Sequence, residues 1–164
     1  MNSLDTRLAI HGFSLIEVLV ALFVLSIGLL GLAALQTTGL KFNHQSYERT
    51  QAVIQTYDII DRMRANKGGT GDNINSAYDS VSPGVTSGTT DCSQTSCNGT
   101  ELAQYDIRGW NNTNAALLAE GKGAICRGNF DSSLGCTVTG NIYRVAVTWK
   151  ESDLAMRLDV EAQP

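Results

Sequence analysis

Gly12-Phe13-Ser14-Leu15-Ile16-Glu17-Val18-Leu19-Val20-Ala21 is the stretch that decides how this chain is built. A glycine, an aromatic residue and a lone acid stand immediately before an unbroken apolar run. From residue 18 to residue 35 no side chain is charged, and only Ser26, Gly28 and Gly31 interrupt the hydrocarbon. Such a run is near the minimum length of a helix that crosses a bilayer. Glu17 is the feature that needs a cause, because a carboxylate just inside a membrane helix costs on the order of a few kcal/mol unless it is paired. Two readings stay open at this level. The acid can snorkel to the interface, or it can meet a cation from another chain. A cut after Gly12 would create such a cation, the new amine of Phe13, within a packed bundle of like helices. A secretory signal peptide would place its small-residue cleavage site after the apolar run, and no clear site stands there.

Beyond the apolar run the chain turns polar without a breaker. Tyr47, Val53, Ile54, Tyr57 and Ile60 fall within roughly 140° on a wheel of about 100° per residue, which predicts an amphipathic continuation whose apolar side packs on a folded head. The helix is expected from about residue 14 to about residue 65, or roughly 78 Å at about 1.5 Å per residue. Lys67, Gly68, Gly69 and Gly71 then supply a stop, since glycine is a poor helix former and a ready end cap. Asp58 with Arg62 and Asp61 with Arg64 sit at helix-neighbour spacing and read as solvated pairs. No proline bends the helix, for the two prolines are Pro83 and Pro164.

Residues 70–100 are rich in Gly, Ser, Thr, Asn and Asp and read as an extended loop. Leu102, Tyr105, Ile107 and Trp110, followed by residues 114–120, predict one or two short helices. Tyr143, Val145, Val147 and Trp149 alternate with polar or small residues, so one face of a strand carries the aromatic and valine side chains. Residues 155–160 supply a second strand, with Glu151, Ser152 and Asp153 as the turn, and the hairpin is expected to bury that face against the long helix. The fold class is therefore α+β: a long N-terminal helix on a small antiparallel sheet.

The four cysteines, Cys92, Cys97, Cys126 and Cys136, all follow the apolar run. Their position beyond a membrane segment favours disulfides. The spacing lacks the Cys-x-x-Cys knuckles of structural zinc, so no metal is expected. Composition leaves the three possible connectivities open; the local pairs Cys92 with Cys97 and Cys126 with Cys136 are the expectation.

Several functions are disfavoured. Acidic residues outnumber basic ones by 16 to 12, with no basic cluster able to neutralise neighbouring phosphates, so nucleic acid is not an expected partner. His11 and His44 have no evident nucleophile partner, and Ser14 sits in no strand-to-helix elbow, so neither catalysis nor a cofactor is expected. Gly121-Lys122-Gly123 is too short for a phosphate loop and reads as a turn. Asp72, Asn73 and Asn75 hold a fragment of a calcium-loop pattern without its closing Glu, and read as a solvated turn.

Residues 12–21 resemble the class III signal of type IV prepilins and of the related pseudopilins of type II secretion. The resemblance implies that a prepilin peptidase cuts between Gly12 and Phe13, that the Phe13 amine is methylated, and that Glu17 guides docking of the subunit during assembly. The leader carries one Arg7 balanced by Asp5, where many such leaders are clearly basic. It further implies a removed leader at residues 1–12, a membrane and assembly half of the helix at 13–36, an amphipathic half at 37–66 and a head at 67–164. Tyr57-Asp58, Asp61-Arg62-Met63-Arg64-Ala65-Asn66, Tyr105-Asp106, Cys126-Arg127 and Tyr143 to Trp149 are similar to minor pilins of the PilV type. That resemblance implies a structural subunit that helps start pilus assembly and sits at the tip. Its implied partners are other minor pilins, the major pilin, the inner-membrane assembly platform and a tip adhesin. It would stand in the inner membrane with a periplasmic head, then in the pilus at the cell surface. A minor pseudopilin and a pilus-borne adhesion module are the alternatives.

Overall fold

The computed structural model describes residues 14–66, 77–86 and 88–163. Its elements are α1 (Leu15–Ala65), β1 (Ser80–Val81), α2 (Gly99–Leu117), β2 (Lys122–Phe130), β3 (Cys136–Glu151) and β4 (Leu154–Ala162). The strands form one antiparallel sheet in the order β1-β2-β3-β4. Two compact units meet within α1, one ending at Asn43 and the other beginning at His44.

In the first unit α1 is rich in Leu, Ala and Val and contains no proline, so its backbone hydrogen bonds run without interruption. Its polar side chains also turn inward to the helix: Ser26 Oγ donates to the Leu22 carbonyl at 2.7 Å, and Thr37 and Thr38 donate to the Ala34 carbonyl at 2.9 and 3.0 Å. A helix that satisfies its own hydroxyls needs no water along its flank.

The second unit is built around the part of α1 that follows His44. Ala52, Ile59, Ile60 and Met63 enter the core with Tyr143, Val145, Val147 and Trp149 of β3 and Ile107 and Trp110 of α2. The alternating face of β3 is thus the buried one, and the long helix packs on a four-stranded sheet. The face of α1 expected to do so is not the one used. Ile60 is buried, but Tyr47, Val53, Ile54 and Tyr57 are 40% to 54% exposed. The buried side carries Glu48, Ala52, Gln55, Thr56, Ile59 and Met63. Thr56 can be buried because its hydroxyl donates to the Ala52 carbonyl at 2.8 Å, and the Gln55 carbonyl accepts the Trp110 indole N–H at 2.8 Å.

Three further expectations change. Residues 99–117 form one helix, longer than the one or two short ones expected. Asn98 caps it, its Oδ1 accepting from the N–H groups of Thr100 and Glu101 at 3.0 Å each, while Glu101 accepts from the Asn98 N–H at 2.9 Å. The weak helix formers at its centre are retained because Asn111 bridges two elements. Its amide donates to the Val85 carbonyl at 2.9 Å and accepts from the Gly123 N–H at 2.7 Å. Gly121-Lys122-Gly123 is not simply a turn, since Lys122 and Gly123 open β2. The hairpin turn has two residues, Ser152 and Asp153, at φ 46° and 72°, and Glu151 pairs with Leu154.

The glycine at 123 has a steric purpose. A Cβ there would lie 2.2 Å from the Trp110 ring, so the indole rests directly on the backbone of β2. Trp110 is 1% exposed and ties α1, α2 and the sheet together.

Candidate functional site

The leader, Gly12 and Phe13 lie outside the described residues, as do Lys67, Gly68, Gly69, Gly71 and the Asp72 to Asn75 turn. Glu17 lies in the first turn of α1 and is exposed, its N–H donating to the Ser14 carbonyl at 3.0 Å. Around and beyond it the apolar side chains face outward: Leu15 is 82% exposed, Leu30 72% and Leu35 71%. The helix contains an 18-residue window of mean hydropathy 2.8 with none of it buried. At about 25 cal/mol per Å² of apolar surface, leaving this face in water would cost more than a small domain's whole stability, so lipid or other helices must cover it. Within that environment Glu17 is the sole formal charge before Lys41.

Past His44 the outward side of α1 presents Tyr47, Val53, Ile54 and Tyr57, opposite the side that holds the head. Hydropathy alone marked this stripe as core. In the fold it is a surface, an apolar seam one helix face wide.

The head is fastened to α1 by charge as well as by packing. Arg49 donates from Nε and Nη2 to the two carboxylate oxygens of Glu151 at 3.0 and 3.2 Å, and the Trp149 indole N–H donates to the same group at 3.2 Å. The Arg49 guanidinium holds the Glu151 carboxyl below the usual carboxylate range. A folded-state value below the unfolded one means that the folded protein binds that proton less readily. The stabilisation is therefore complete above about pH 4.3 and is lost as pH falls through the depressed folded value. Glu151→Gln is expected to lower Tm by a few degrees between pH 5 and 7. The gap to the wild type should narrow below about pH 4, as thermal melts across that range will show.

Arg62 does more than form a solvated helix pair. Its Nε donates to Asp58 at 2.8 Å, and its Nη1 reaches the nearly buried Asp106 of α2 at 3.2 Å. The Tyr78 hydroxyl donates to the same carboxylate at 3.1 Å. Burial and the Asp106 charge push the Tyr78 hydroxyl up, so it stays a donor. Asp61 with Arg64, at 2.9 Å, remains on the surface as expected.

The loop before α2 is pinned. Cys92 is bonded to Cys97 and Cys126 to Cys136. Arg108 of α2 donates to the carbonyls of Gly88 and, at 3.0 Å, Thr90. Tyr143 Oη donates to Asp79 at 2.7 Å, and Arg127 reaches the same carboxylate at 2.9 Å. Among the described residues no group of three or more His, Cys, Asp or Glu side chains could hold a metal ion.

Residues 7–33 match the family described as the prokaryotic N-terminal methylation motif. Residues 34–108 match the family described as type IV pilin Tt1218. Over these two stretches the chain is similar to the type IV pilins. The two matches adjoin, so the pilin signature runs from residue 7 through the long helix to the middle of α2. Type IV pilins are structural subunits, not enzymes, and the methylation motif implies processing by a prepilin peptidase. The apolar helix and the motif together describe a membrane-anchored pilin that later stands in a pilus. No curated protein and no solved structure matches the chain.

Proposed function

We propose that this pilin is a minor subunit that helps to start pilus assembly and sits at the tip. In this reading the peptidase removes residues 1–12 between Gly12 and Phe13, the new Phe13 amine is methylated, and Glu17 pairs with the amine of a neighbouring subunit. The helix before residue 36 is the membrane and assembly segment, and residues 67–164 form the head in the periplasm. The carrying observation is an α1 that leaves its whole apolar length uncovered while holding one carboxylate in its first turn. A lone anchor would have no use for that carboxylate, whereas a bundle of like helices offers it a cation. The outward seam of Tyr47, Val53, Ile54 and Tyr57 carries the same logic above the membrane, where other minor pilins, the major pilin and the assembly platform are the partners to cover it. Resemblance to PilV-type proteins in the motifs from Tyr57 to Trp149 favours the minor role.

The role is tested by counting. In sheared pili the chain is expected at well under one copy per hundred major pilins, and its deletion is expected to reduce surface pili severely. Near-equal amounts of the two pilins, or normal piliation without the chain, would contradict the minor role.

A further inference from the structure

Among the described residues, β4 pairs only with β3, so its other side is a sheet edge nine residues long. The two-residue turn fixes which backbone groups that edge presents. The pair flanking such a turn is hydrogen-bonded, and bonding alternates along an antiparallel ladder. Leu154, Met156, Leu158 and Val160 therefore bond to β3. Ala155, Arg157, Asp159 and Glu161 point their N–H and C=O groups off the edge, and all four are exposed. Met156, Leu158 and Val160 pack partly against the core.

Sheet edges are usually guarded by charged side chains, above all lysine, or by prolines. The charges on this edge include two of opposite sign, Arg157 and Asp159, 2.8 Å apart along the strand. Opposite charges two residues apart are self-complementary about the residue between them. A second β4, turned around an axis through Leu158, places its Asp159 opposite Arg157 and its Arg157 opposite Asp159. The same operation sets Ala155 against Glu161, Leu158 against Leu158 and Met156 against Val160. It also brings free backbone groups against free backbone groups, because odd-numbered residues face odd-numbered ones. Moving the axis by one residue would set Arg157 on Arg157 or Asp159 on Asp159. Like charges directly opposite destabilise a strand pair.

We infer that β4 is a docking edge for the β4 of a second copy of this chain, joined antiparallel about Leu158 into a continuous sheet. The direction of α1 within the head fixes the geometry of such a pair. Arg49 meets Glu151 beside the β3–β4 turn. Further along α1, Gln55 holds Trp110 over Gly123, whose row across the sheet runs through Val147 and Leu158. Within the head unit, α1 and β4 thus run in the same sense. The two-fold axis reverses both, so the stretches of α1 within the two paired heads run in opposite directions. The pairing does not depend on the proposed minor role.

The test is sedimentation of the full chain in density-matched detergent, as wild type, Arg157→Asp, Asp159→Arg and an equimolar mixture of the two variants. Each variant alone sets like charges opposite each other twice. The mixture restores two opposite-charge pairs. Self-association of each single variant is expected to weaken about tenfold, with the mixture returning to wild-type strength as a heterodimer. Variants that associate like the wild type, a mixture no stronger than its components, or a wild type that stays monomeric would overturn the proposal. A variant that failed to fold could not form the heterodimer, so recovery in the mixture also excludes misfolding.

Discussion

Gly123→Ala is expected to destabilise the head by about 3 kcal/mol or more, an outsized effect for one methyl group. The added Cβ would lie 2.2 to 2.7 Å from three ring atoms of Trp110. The indole cannot retreat, because its N–H is held by the Gln55 carbonyl and its ring is buried among α1, α2 and β3. Nor can β2 retreat, since the Gly123 N–H is bonded to Asn111 and its row is paired with Val147. Thermal unfolding of the full chain, followed by near-ultraviolet circular dichroism, reads the effect as a lower Tm and a lost tryptophan signal. Gly109→Ala is the control. Gly109 is an exposed residue of α2 with nothing within 4 Å of its missing Cβ, so alanine there is expected to stabilise by about 1 kcal/mol. A wild-type Tm for Gly123→Ala would mean that Trp110 does not rest on β2.

Glu17→Ala is expected to leave cleavage and membrane insertion intact while lowering incorporation into pili about tenfold or more. Removing one partner of an ion pair in a low-dielectric bundle leaves the other charge uncompensated, at a cost of about 3 kcal/mol or more. The monomer suffers no such loss, because Glu17 makes no side-chain contact within its own chain among the described residues. The effect should therefore appear in sheared pili and not in the membrane pool, with quantitative immunoblots of both fractions separating the two. Equal incorporation of wild type and variant would remove the pairing of Glu17 with a neighbour's amine.

The long helix and the β3–β4 hairpin were legible because each has a strong, simple signal: an uncharged run without proline, and strict alternation from Tyr143 to Trp149. The side of α1 that holds the head was not legible. Its buried stripe mixes Glu48, Gln55 and Thr56 with Ala52, Ile59 and Met63, and hydrogen bonds that no hydropathy pattern records make those polar residues acceptable inside. The better apolar stripe, from Tyr47 to Tyr57, faces outward, and hydropathy does not say which side of a helix the head takes. β2 was hidden by Gly121 and Gly123, which read as turn residues. Gly123 is a strand residue kept small for Trp110, and a buried tryptophan needing a flat floor was the available clue. The full length of α2 was not legible, because Asn111, Asn112, Thr113 and Asn114 have low helix propensity. Asn111 occupies its place by holding the loop and β2 together. The apolar run with Glu17 was legible in residue type, since an isolated acid in such a run is costly wherever it stands.

A prepilin-type cut is expected to convert this chain into a membrane-anchored subunit with an oxidised head. Intact-mass spectrometry of the protein from its native membrane, with and without reduction and alkylation, tests it most directly. The predicted result is a chain beginning at Phe13, heavier by one methyl group, with no alkylated cysteine until reductant is added and four afterwards. A chain still carrying residues 1–12, a cut after the apolar run, or free thiols in the native protein would contradict it.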